Sequence, residues 1–338
     1  MAQLTTDEFI AKARAHWTPE VTRKVTGGKK YPLVPGAAPM LLRELGLLNA
    51  DATMSADAVR KFGQINHMLN LLGGQLDDLA ARHKVVRILD AGCGSSFLTF
   101  LLAWWFESRQ SQNPGFASTQ ILGVDSNGKL IEKSSRIANI LNYGESLRFA
   151  TSSIADCTWS RQFVSAFGEG STATKDGEVA RPNMVVALHA CDTATDDAIG
   201  LALKEKADFI AVAPCCQAEL AAIWKGFSQN PPTSGKAMSP VFAAPQLRRE
   251  IAAELTDMLR VLLMRGCGYE VTATEFVSSS HTPKNRLITA VRRGRYLESA
   301  LAEYKLLRDH IGGGAISLER HVTDTIGETG LATLSFPS

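Results

Sequence analysis

The segment Val85-Val86-Arg87-Ile88-Leu89-Asp90-Ala91-Gly92-Cys93-Gly94-Ser95-Ser96 constrains this chain more than any other. An apolar run ends in an acid, passes two closely spaced glycines and enters the helix-like run Phe97 to Phe106. A strand–turn–helix of this kind brings main chain close to a ligand at the mouth of a parallel sheet, because Gly92 and Gly94 carry no Cβ. Further on, Thr119-Gln120-Ile121-Leu122-Gly123-Val124 is a second apolar strand, and it ends in Asp125. An acid in that place can accept hydrogen bonds from a ribose diol. The two segments together imply an adenosine-containing cofactor.

The glycine spacing narrows the choice. A dinucleotide fingerprint requires G-x-G-x-x-G opening a helix, so that a pyrophosphate sits on the helix N-terminus. This chain reads D-x-G-x-G-S-S, with the acid at the strand end and no third glycine. A carboxylate there repels a pyrophosphate and suits a ligand that carries an ammonium and a sulfonium. The pattern resembles the first motif of class I S-adenosylmethionine-dependent methyltransferases. That resemblance implies a methionine end held by Asp90, Gly92 and Gly94, and a ribose held by Asp125. It also implies an adenine amino group held by Asp156, after the third strand.

Composition sets the remaining bounds. With 338 residues, 45% of them hydrophobic, the chain can bury a large core. A formal charge of +2 gives no global field for nucleic acid, so any such surface must be a local patch. Six cysteines occur without a C-x-x-C, and the first residues are polar rather than an apolar leader. No apolar run approaches a membrane span. A reducing, cytoplasmic setting follows as an expectation.

Before residue 85 no strand is expected. Asp7 to His16 and Ala38 to Leu48 read as short helices around a turn-rich basic link, Arg23 to Lys30, and Ser55 to Arg82 reads as a long helix with Ser55 as N-cap. From there strands at 85–90, 120–125, 147–151, 184–190, 208–214, 269–277 and 286–292 alternate with helices. The last two, joined by a short connection containing Pro283, form an antiparallel pair. The expected fold is α/β: a Rossmann-like class I methyltransferase sheet of seven strands behind an N-terminal helical extension. The expected division is 1–84 for the extension, which contributes to the substrate site, 85–295 for the cofactor-binding domain, and 296–338 for a C-terminal helix and tail. Gly168 to Pro182 and Ser228 to Pro245 read as insertions or loops.

Chemistry in such a sheet gathers at the carboxyl ends of the strands. His189, after the fourth strand, can act as a general base, because its ordinary pKa lies near neutrality. Asp192 can orient it or cap the following helix. Cys215 and Cys216, after the fifth strand, can line the pocket, act as nucleophiles, or join His189 and Cys191 at a zinc ion. No close-spaced ligand pair favours the metal, so none is expected. Lys284, in the turn before the last strand, offers a cationic donor. Arg23 to Lys30, Arg248-Arg249 and Arg292-Arg293-Arg295 could form a phosphate-binding patch.

Taken together, Asp90-Ala91-Gly92-Cys93-Gly94, Leu188-His189-Ala190-Cys191-Asp192, Pro214-Cys215-Cys216-Gln217 and His281-Thr282-Pro283-Lys284-Asn285-Arg286 resemble one group. It is the methyltransferase-like 25 and glutathione S-transferase C-terminal-domain-containing methyltransferases, and the lead-in helix at Gln64-Ile65-Asn66-His67 is similar too. The resemblance covers residues 54 to 295. The His-x-Cys and Cys-Cys elements are also similar to tRNA 2′-O-methyltransferases of the acceptor stem, which implies RNA as the acceptor. One departure stands out: Ser95 occupies the place of an expected lysine. Ser95 can still donate to the cofactor carboxylate, but without a fixed charge. Two other readings stay open, a nicotinamide-dependent oxidoreductase and a non-catalytic scaffold that keeps the cofactor fold.

Overall fold

A computed structural model of the protein describes residues 5–169, 179–188, 190–275 and 286–331. They form two compact units. One comprises Met1–Val85, Ser95–Gln120 and Glu132–Arg148, and the other Val86–Gly94, Ile121–Ile131 and Phe149–Ser338.

The first unit is helical apart from the strand ends that enter it. It begins with α1 (Thr6–His16), α2 (Pro19–Thr26), α3 (Pro39–Glu44) and α4 (Ala56–Arg82). Thr5 and Glu8 close a capping box on α1, and Ser55 Oγ accepts from Ala58 N at the start of α4. Phe62, Leu69, Leu72, Leu76 and Leu79 are the buried stripe of α4. Part of the expected basic link is helical. Thr18 caps α2, Pro19 stands in its first turn, and Gly27 ends it in the left-handed region at φ 61°. Arg23 to Thr26 therefore lie on a helix, and only Gly27 to Lys30 turn.

The strands are β1 (Val85–Ala91), β2 (Ser118–Asp125), β3 (Leu147–Thr151), β4 (Met184–Ala187), β5 (Phe209–Val212), β6 (Tyr269–Glu275) and β7 (Arg286–Arg292). They make one sheet in the order β3-β2-β1-β4-β5-β7-β6. Leu89 pairs in parallel with Val185, and Val185 with Ile210. Strand β7 runs antiparallel between β5 and β6, with Ala211 and Thr272 opposite Thr289. This is the expected Rossmann-like architecture, with the last strand antiparallel to both of its neighbours. The fully buried residues of β4 and β5 explain their unbroken apolar runs. Between the strands come α5 (Phe97–Gln112), α6 (Gly128–Ile140), α7 (Trp159–Phe167), α8 (Thr193–Lys204) and α9 (Glu219–Gly226).

Further segments differ from expectation, among them the helix expected over Ala38 to Leu48, which spans Pro39–Glu44. Strand β4 stops at Ala187, three residues early. Beyond it Ala190 O accepts from Thr195 Oγ1 at 2.6 Å, which turns the chain into α8. Ser228 to Pro245 holds a 3₁₀ turn at Thr233–Met238 and the short helix α10 (Ser239–Ala243), and Pro245 itself opens the long helix α11 (Pro245–Gly266). Past α12 (Glu298–His310), the tail after Gly312 contains a further helix, α13 (Leu318–Leu331).

Beside the apolar core of the second unit lies a buried ionic network. Arg260, 1% exposed, donates from Nε to Asp196 Oδ1 at 2.7 Å, from Nη1 to Asp257 Oδ1 at 3.1 Å and from Nη2 to Asp192 O at 2.9 Å. Gln217 Nε2 reaches both Asp257 oxygens at 3.2 Å, and Arg286 bridges Asp257 at 3.0 Å and Glu254 at 2.5 Å. Burial depresses the Arg260 guanidinium's tendency to hold its proton, but Asp196 and Asp257 more than restore it, for a net upward shift. Burial raises the Asp196 carboxyl to about 6 even though Arg260 pulls it down, with Glu219 and Asp192 adding repulsion. The second Asp196 oxygen, Oδ2, is buried without a hydrogen-bond partner.

Two stability measurements follow. A carboxyl with a raised folded-state pKa stabilises fully below its unfolded pKa, and that contribution is lost as pH rises through about 6. Between pH 5 and 7.5 the protein should lose on the order of 1 kcal/mol relative to Asp196→Asn in urea unfolding. Parallel pH profiles for the two would show that Asp196 titrates normally. Separately, a Cβ at Gly200 on α8 would lie 2.3 Å from His321 Cγ on α13. Gly200→Ala should therefore cost about 1–3 kcal/mol, and an unchanged urea midpoint would mean that the two helices separate freely.

Candidate active site

The strand order reverses direction at β1, whose neighbours are β2 and β4. In open α/β sheets this switch point, at the carboxyl ends, is where a crevice forms. The glycine turn lies there. Gly92 and Gly94 have φ of 74° and 53°, a region that side-chain-bearing residues rarely adopt. Gly92 N and Cys93 N both donate to Val124 O at 2.9 Å, and Gly94 N donates to Asp125 Oδ2 at 2.9 Å. The turn is thus clasped to the end of β2. A Cβ on Gly94 would meet nothing within 4 Å, so main chain is open to a ligand.

Asp125 is half-buried and accepts from Asn127 N at 2.8 Å through its other oxygen. Asp90 is 3% exposed at the end of β1, and Ser95, next after Gly94, is exposed. Ser152 N donates to Asp125 O at 3.0 Å, which draws the chain after β3 towards the same end. There Asp156, exposed, accepts from Ser153 Oγ at 2.5 Å and borders a cleft of about 490 Å³. Asp90, Gly92, Gly94, Asp125 and Asp156 therefore all lie at the carboxyl edge of β1–β3. Sequence reasoning missed Gly123: a Cβ there would fall 2.6 Å from Phe149, so only glycine lets that ring lie against β2. The signal was present, as an isolated glycine inside an apolar strand.

At the ends of β4 and β5, Cys191 and Cys216 are exposed and Cys215 is half-buried. Cys191 Sγ and Cys215 Sγ approach to 2.9 Å. Burial pushes the Cys215 thiol up to about 12, and Cys191 and Cys216 push in the same direction. At neutral pH this thiol is protonated and a weak nucleophile. Asp192 stands at the N-cap of α8 but makes no cap bond to it. Its Oδ1 accepts instead from Ala218 N at 2.8 Å and Glu219 N at 3.1 Å, at the start of α9. Its backbone φ of 53° is a strained conformation for a residue with a Cβ. His189 and Lys284 lie outside the described residues.

Beside Cys216 a cleft of about 1000 Å³ is lined by Arg248, Arg249 and Arg286 together with Glu250, Glu254 and Asp257. Of the other expected basic groups, Arg293 is paired with Glu270 at 2.6 Å. Asp196, Asp257 and Arg260, which brace this end of the sheet, had no signal in the sequence. Among the described residues no helix is long and apolar enough to cross a membrane.

Residues 60–223 match the family model of a methyltransferase domain. That stretch takes in the glycine turn, both strand-end acids and all three strand-end cysteines. No curated protein matches the chain at a significant level. Among solved structures, the chain is similar to the N-terminal domain of human METTL16 in complex with SAH, at 14% identity and a TM-score of 0.37 over 81% of this chain and 82% of that one. It is similar to the SAH-bound Podospora anserina methyltransferase PaMTH1, at 12% identity and a TM-score of 0.38 over 87% and 99%. It is similar also to the human methyltransferase 10 domain containing protein, at 12% identity and a TM-score of 0.37 over 81% and 98%.

Proposed function

We propose that the chain is an S-adenosylmethionine-dependent methyltransferase acting on RNA, a bacterial relative of the methyltransferase-like 25 group. The observation that carries the cofactor reading is the clasp of the Gly92–Gly94 turn to Asp125, with space for a Cβ only at Gly94. The residues present fit that cofactor. Main chain at Gly94 is open, Asp90 lies buried at the strand end next to it, and Asp156 borders its own cleft. The bound cofactor supplies an electrophilic methyl on a sulfonium, which leaves the protein chiefly the task of alignment.

Each residue then has a role. A carboxylate oxygen has two lone pairs, so Asp125 can accept from ribose hydroxyls while keeping its bonds to Gly94 and Asn127. Asp90 offers negative charge to the ammonium end, and the exposed hydroxyl of Ser95 donates to the neighbouring carboxylate. Asp156 accepts from the adenine amino group. His189 takes the acceptor's proton, and Asp192 holds the loop that carries it. Cys215, Cys216 and Lys284 line the acceptor's path. RNA is favoured by the similarity to acceptor-stem tRNA methyltransferases and by Arg248 and Arg249 along the larger cleft, which suit phosphates.

Calorimetric titration with S-adenosylmethionine and its demethylated product tests the cofactor. Asp125→Ala should weaken binding by about 10- to 100-fold, the worth of a charged hydrogen bond, whereas full affinity in the variant would overturn the assignment. For the acceptor, labelled methyl should pass into cellular RNA and stop doing so in His189→Ala, with cofactor affinity kept. Label entering protein instead would replace RNA as the acceptor.

A further inference from the structure

Three thiols from two separate loops meet at the carboxyl ends of β4 and β5. The Sγ atoms of Cys191, Cys215 and Cys216 all lie within 4.8 Å of one another. A tetrahedral zinc ion with bonds of about 2.3 Å holds its sulfurs about 3.8 Å apart. The 2.9 Å separation of Cys191 and Cys215 therefore needs a shift of only about 1 Å to close round one ion.

The two loops are fixed to each other without any ion. Asp192 N donates to Cys216 O at 3.0 Å, Asp192 Oδ1 takes Ala218 N and Glu219 N, and Arg260 Nη2 holds Asp192 O. These bonds keep Asp192 at its φ of 53°, a strain worth about 1–3 kcal/mol. Outer contacts of this kind orient metal ligands. Cysteines that merely pack are buried, as Cys157 and Cys267 are, whereas Cys191 and Cys216 are exposed.

We propose that Cys191, Cys215 and Cys216 form a three-thiolate site for Zn²⁺. Coordination makes three Zn–S bonds and releases the three thiol protons to the buffer. Among the described residues no fourth histidine, cysteine or carboxylate joins the cluster. The cluster stands beside the cleft that Cys216 lines, and His189 lies outside the described residues. Zinc takes four donors in a tetrahedron, so one more ligand completes the three thiolates. The site does not rest on the methyl-transfer reading. A disulfide between Cys191 and Cys215 would use only two of the three thiols and would need an oxidant.

The full chain, reduced and stripped with a chelator under anaerobic conditions, should be titrated with Co²⁺ and then Zn²⁺. One equivalent of Co²⁺ should produce thiolate-to-metal charge transfer and intense tetrahedral d–d bands, and Zn²⁺ should abolish both. Cys191→Ser and Cys216→Ser should each weaken Zn²⁺ by more than the 10- to 100-fold that loss of an outer partner costs. No charge-transfer band in the reduced wild type overturns the proposal whatever the variants do. Equal Zn²⁺ affinity in wild type and both variants overturns it as well. Neither readout depends on methyl transfer, so the two readings fail separately.

Discussion

The carboxyl end of the sheet depends on one buried guanidinium. Removing Arg260 from water costs several kcal/mol, and only complete pairing offsets it. Its donors reach a carboxylate on α8, a carboxylate one turn back on α11, and the main chain of the loop after β4. Asp257 passes the connection on to Gln217, after β5, and to Arg286, at the start of β7. Three loop and strand ends are thereby set by directional bonds, where apolar contact alone would let them slide. Apolar packing holds the sheet together; the ionic network decides where its carboxyl-end loops stand.

The sheet was legible because its determinants are local. Strands β1 and β2 are apolar runs closed by an acid, β5 is closed by Pro214, and the turn at Gly92 and Gly94 needs the φ that glycine allows. Strand β4 was read too long because Leu188 and Ala190 continue the apolar run. What ends the strand is a hydrogen bond from Thr195, together with the tie between Asp192 and Cys216 in a loop 24 residues away. Helix α2 was missed although its signals were present: Thr18, Pro19 and Gly27 outweigh the lysines that drew attention to a turn. In α13 the three glycines before it masked the pattern.

The site divides along the same line. The strand-end places of Asp90 and Asp125 and the turn at Gly92 and Gly94 were readable because a strand end, a turn and a second strand end announce them. Asp196, Asp257 and Arg260 were not, because a charged residue on a helix ordinarily faces water. Only the folded chain brings Arg260 to Asp196 across 64 positions. Asp192 shows the same limit in a different form. Its place before α8 suggests a cap for that helix, yet its carboxylate serves α9 instead. A cap that crosses between loops fixes their relative position, which a cap on its own helix would not do.

That crossing has a geometric consequence for chemistry at this edge. Strands β1, β4 and β5 are successive neighbours in the sheet. At about 4.8 Å between strands, the carboxyl ends of β1 and β5 lie about 10 Å apart. The glycine turn stands at one end of that interval and Cys215 and Cys216 at the other, with the loop of Cys191 and Asp192 between them. The strained turn at Asp192 lies in the middle of that interval. Held by Cys216 O, Ala218 N, Glu219 N and Arg260, it fixes the middle of the interval against both neighbours.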